Sequence, residues 1–79
     1  MKLTIEETKM FIRTGFGRKS DFKACYWRRA EKIMNFLCNN TQDIFPCDYG
    51  RGKGKYSTKL NLSDENITRW ATLYVDSMN

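Results

Sequence analysis

The stretch SDFKACYWRRAEKIMNFLCNNTQDIFPC, Ser20–Cys47, contains the change of period on which the fold depends. From Asp21 to about Asn39 there is neither glycine nor proline. Phe22, Tyr26, Ile33 and Leu37 share one helical stripe there, which Cys25, Ala30, Met34 and Phe36 widen. Ser20 or Asp21 is placed to cap this helix. The run NNTQD then breaks it, and Ile44–Cys47, which holds the only proline, reads as a short strand at a sheet edge.

Further along, Tyr56, Thr58, Leu60 and Leu62 alternate with Ser57, Lys59 and Asn61, the period of a half-buried second strand. The two strands form a hairpin whose tip, residues 48–56, is a flexible basic loop too long for a two-residue turn. Ser63 then offers an N-cap, with Asp64 and Glu65 in the first turn and Leu62 as a staple on Ile67. Ile67, Trp70, Ala71, Tyr74, Val75 and Met78 follow as the apolar stripe of a last helix. At the other end Thr4 and Glu7 have capping-box spacing. Ile5, Met10, Phe11 and Ile12 give that first helix an inner side up to about residue 14, where Thr14-Gly15 stops it. The chain thus reads as α+β, a single compact domain over 1–79 in the order helix-helix-β-hairpin-helix. A lone two-stranded hairpin is marginal, so it leans on the helices or on strands of a second copy, which leaves a homodimer open.

With 79 residues there is room for one small core. Cys25, Cys38 and Cys47 are an odd set without CxxC spacing, read as small core hydrophobes rather than disulfides or zinc ligands. No metal and no cofactor is expected. There is no histidine, and the adjacent carboxylates Glu6-Glu7 and Asp64-Glu65 are accounted for by helix starts. Cys25 has no general base, so the reading is of a protein that is not an enzyme. Glu6 and Glu7 interrupt any signal-like apolar run, and no segment is long enough to span a bilayer. The expectation is a soluble, cytoplasmic protein without membrane contact.

The charge is concentrated. Residues 13 to 59 hold eleven cations and four carboxylates, against a net +5 for the chain. Lys19 and Lys23 lie four apart, and Arg28, Arg29 and Lys32 fall on the side of the long helix that its apolar stripe leaves free. Arg18 precedes them. In CDYGRGKGKYSTK, Cys47–Lys59, the cations Arg51, Lys53 and Lys55 alternate with glycines and Lys59 follows, an arrangement that lets backbone and side chains approach phosphates but lacks P-loop spacing. Tyr49 and Tyr56 flank this loop, and Trp27 and Phe16 adjoin the basic segments; each can either stack on an unpaired base or pack internally. The connector TGFGRKS is long for a helix-turn-helix, and shape and backbone recognition suits RNA better than DNA.

GRKSDFKACYWRRAEK and YGRGKGKYSTK give the chain a character that resembles the small basic RNA-binding early proteins of T-even-type bacteriophages, of the toxin-inhibitory-factor kind. The resemblance implies a phage factor in the host cytoplasm that, with RNA, neutralises a host toxin or defence ribonuclease. Two other readings stand beside it: a protein-binding inhibitor of a host enzyme with no nucleic acid of its own, and a small DNA-binding regulator.

Overall fold

The structure is a computed structural model that describes residues 2–47 and 54–78. The described residues form helix α1 (Ile5–Phe16), a 3-10 turn (Lys19–Asp21), helix α2 (Ala24–Asn40), strands β1 (Ile44–Pro46) and β2 (Tyr56–Thr58), and helix α3 (Asp64–Met78). The fold is α+β in the order helix-helix-hairpin-helix. The strands are antiparallel, pairing Ile44 with Thr58 and Pro46 with Tyr56. Of the loop expected over 48–56, residues 48–53 (with Tyr49, Arg51 and Lys53) lie outside the described residues. Cys47 closes the hairpin base: its N–H donates to Lys55 O at 2.9 Å and its thiol to Gly54 O at 3.2 Å.

Local chemistry sets the helix starts. Thr4 and Glu7 form the reciprocal capping box at 3.0 and 3.1 Å. Ser63 Oγ accepts from Asn66 N–H, and the Asn66 amide donates to Asn61 O. Leu62, expected as a staple, is largely exposed, and that side-chain bridge holds the entry to α3. Asp21 does not cap α2 as expected. Its carboxylate is taken by Arg18 at 3.1 and 3.3 Å, so α2 starts three residues later, after Lys23, without a side-chain cap.

α1 runs through Gly15, where the sequence suggested an end, because that glycine is the crossing point with α2. A Cβ at Gly15 would run into the side chain of Met34, which is fully buried. Alanine normally favours a helix interior over glycine by about 0.5–1 kcal/mol, while overpacking a filled core costs about 1–3 kcal/mol. Gly15→Ala is therefore expected to destabilise the protein, by about 1–2 kcal/mol in a urea titration; a stabilised variant would mean that Met34 yields at no cost.

The core is built from Phe11 and Ile12 of α1, Ala30, Ile33, Met34 and Leu37 of α2, Ile44 and Tyr56 of the hairpin, and Ile67, Trp70, Ala71 and Tyr74 of α3. On α2 the buried arc is rotated from the expected one. Trp27 joins the expected Ala30, Ile33, Met34 and Leu37 inside, whereas Phe22, Tyr26 and Cys25 are exposed. α2 packs against α1, β1 and α3, and the arc these three cover includes Trp27 and stops short of Phe22, Cys25 and Tyr26. β2 also stops early. Thr58 Oγ1 accepts from Leu60 N–H at 3.1 Å, bending the chain out of the sheet, so Leu60 and Leu62 are exposed instead of facing inward. With Ile44 and Tyr56 in the core, the hairpin finds its cover within the chain.

Two carboxylates tie these layers together. Asp64 receives Lys9 at 2.7 Å and Arg13 at 3.1 Å, and the Lys9 bond, then its charge, holds the Asp64 carboxyl below the usual range. Asp43 is likewise lowered, first by the Trp70 indole N–H and then by Arg69. Because these groups bind protons more weakly folded than unfolded, their stabilisation is complete above the ordinary carboxylate pKa of about 4 and is lost as pH falls through the lowered native values. Tm is expected to hold near neutrality and to fall from about pH 4 downward. An unchanged Tm down to pH 2 would remove both pairs from the account.

Candidate nucleic-acid interface

α2 presents its cations because its other sides are occupied. The helix buries Trp27, Ala30, Ile33, Met34 and Leu37, which leaves Arg28 and Lys32, one turn apart, on the outer face with Arg29 beside them; all three are exposed. None of them makes an ion pair with another described residue. Arg29 does lie close enough to Glu7 to contribute, after the Thr4 hydrogen bonds, to lowering that carboxyl. At the N-terminal end of the helix Lys19 and Lys23 are also exposed without an ion pair among the described residues, as is Lys59 at the far end of the hairpin.

Of the predicted cations that the structure describes, the other two are engaged. Arg18 holds Asp21, and Lys55 donates to Glu31 Oε2 at 2.7 Å, bracing the hairpin base on α2. A phosphate would have to displace a carboxylate to reach either. Tyr56 is corrected outright: only 4% exposed, it donates its hydroxyl to Asn35 Oδ1 at 2.6 Å, and burial pushes its pKa up. Its ring is part of the core and offers no face to a base. Trp27 is buried as well, and Phe16 packs on Trp70 with ring centroids 5.8 Å apart.

Two aromatics absent from the predicted site belong near it. Phe22, between the 3-10 turn and α2, and Tyr26, in the first turn of α2, are 38% and 48% exposed, close in sequence to Lys19 and Lys23. Periodicity alone assigned them to the core stripe, and no local signal in the sequence shows that α2's first turn lies at the edge of the layer α1 covers. Tyr26 retains only a tilted contact with Phe11 at 6.2 Å.

Where α2 meets the N-terminal segment and α3, a cleft of about 260 Å³ opens, lined by Leu3, Arg29, Lys32, Ile33 and Tyr74. Two of the cations without an ion pair among the described residues thus share a cleft with Leu3, Ile33 and Tyr74, a juxtaposition that the sequence, with these residues spread over three elements, does not reveal.

The cysteines are less uniform than expected. Cys25 is exposed rather than a core residue; Cys38 and Cys47 are half-buried, and burial pushes the Cys38 thiol up. Among the described residues no group of three or more histidine, cysteine, aspartate or glutamate side chains is placed to hold a metal ion. No helix of the described residues is long and apolar enough to cross a membrane. No family model matches this chain, and no curated protein or solved structure matches it.

Proposed function

We propose that this protein is a non-catalytic nucleic-acid-binding domain that takes the phosphate backbone of RNA on the outer face of α2. The carrying observation is the contrast in pairing. Arg13, Arg18, Lys55 and Arg69 form ion pairs, whereas Arg28, Arg29 and Lys32 share one helix face and form none with a described residue. Cations left unmatched side by side repel one another, and a polyanion relieves that repulsion while releasing its counterions. Lys19 and Lys23 add two exposed cations close in sequence to the exposed rings of Phe22 and Tyr26, which suit unpaired bases; this favours RNA with single-stranded character over duplex DNA. The likeness in character to small basic phage early proteins extends the proposal to a partner: a host toxin or defence ribonuclease that the protein and RNA neutralise together.

The test is fluorescence anisotropy against single-stranded RNA, double-stranded RNA and duplex DNA of one length, from low to physiological salt. Binding that favours single-stranded RNA and weakens steeply with salt is the expected result. If none of the three binds at low salt, the proposal fails, and the same face is then that of an inhibitor docking on an acidic protein surface.

A further inference from the structure

We infer that the cleft between the N-terminal segment, α2 and α3 receives one unpaired base of the bound RNA, with Arg29 and Lys32 taking the phosphates on either side of it; this rests on the RNA-binding reading above. Three observations lead there. Leu3, Ile33 and Tyr74 give the cleft an apolar side beside the polar atoms of its rim, and its three contributing elements are packed against one core. Its rim cations are three residues apart on α2 and have no ion pair among the described residues. Tyr74 lines the cleft, and no hydrogen bond joins its hydroxyl to another described residue.

Size and charge select the occupant. At about 260 Å³ the cleft lies below the roughly 300 Å³ at which pockets for drug-sized ligands begin, so it suits a single flat ring system. An anion alone would leave the apolar side unused, and an apolar side chain alone would leave two cations facing it. A nucleotide strand supplies an apolar-faced ring with a negative charge before and after it at every residue, and Arg28 continues the cationic row beyond the cleft. A base held in a duplex would have to leave its stack to enter, which disfavours double-stranded ligands.

The experiment compares a short single-stranded RNA with the same RNA carrying abasic riboses at its central positions, which keeps the phosphate charge and removes the rings. The intact RNA is expected to bind about tenfold more tightly, with the same salt slope for both. Leu3→Trp, which fills the cleft, is expected to remove most of that tenfold difference, leaving what Phe22 and Tyr26 contribute by stacking, and to leave double-stranded RNA binding unchanged. Should Leu3→Trp not fold, the unmodified protein decides: the Leu3 and Ile33 methyl NMR signals are followed during titration with a nucleoside monophosphate, and saturable shifts at both are expected. Equal affinity for intact and abasic RNA, with a normal salt slope, overturns the base site and leaves backbone binding standing. No binding of either RNA at low salt overturns both. Methyl shifts produced by an acidic leucine-containing peptide and not by the nucleotide would assign the cleft to a protein partner and overturn the base site.

Discussion

Replacing Arg28, Arg29 and Lys32 together by alanine is expected to weaken RNA binding by roughly fifty-fold near 0.15 M salt and to reduce the slope of log affinity against log salt by about 2. Each phosphate contact to a single strand contributes about 0.7 to that slope, and three are removed at once. The fold should survive, since all three side chains are exposed and alanine is the best helix former. Arg13→Ala is the control. It removes the same charge from a cation that already has Asp64 as partner at 3.1 Å, on a different helix. Its affinity should stay close to that of the parent protein. Should Arg13→Ala cost as much per charge as the triple variant, the attraction would be a matter of net charge with no defined face, and the interface assigned to α2 would be wrong.

Trp70→Ala is expected to cost about 3–5 kcal/mol, a large share of the roughly 4–12 kcal/mol available to a domain of this length, and to lower Tm by at least about 15 °C. Trp70 is 1% exposed. It packs on Phe16, donates its indole N–H to Asp43 at 3.0 Å, and has Arg69 over its ring at 5.9 Å. Truncation would therefore open a cavity where α3 meets α1 and also strip Asp43 of a donor. Trp70→Phe keeps a six-membered ring in the core but loses the pyrrole half of the indole with its N–H to Asp43; an intermediate loss is expected. A drop of less than about 5 °C for the alanine variant would show that the α1–α3 contact does not depend on this side chain.

Asp43 illustrates how far local reading reaches. In NNTQD it looks like one more polar residue of a helix-ending loop, yet it joins that loop to α3 through Arg69 and Trp70, 26 and 27 positions away. Lys9 is similar: a lysine on an amphipathic helix is ordinarily solvated, and here it is buried against Asp64. Tyr56 is the matching case at the site. Its neighbours in sequence are cations, which made it a candidate to stack on RNA, but its position in β2 directs it into the core.

Element type and order follow from the sequence because they depend on near neighbours: the Thr4–Glu7 box, the Ser63 cap, the glycine-free run of α2 and the i, i+3, i+4 stripe of α3 act within a few residues of one another. The exposed positions of Arg28, Arg29 and Lys32 were legible for the same reason, being what an apolar stripe leaves over. Only the tertiary structure decides which arc of α2 is buried, since α1, β1 and α3 pack against it; which cations keep carboxylate partners, since Lys55 meets Glu31 across 24 positions of chain; and where a cleft opens, since Leu3, Arg29 and Tyr74 meet only after three elements have packed. Periodicity specifies a face, whereas the partner that covers it is chosen by contacts distant in sequence.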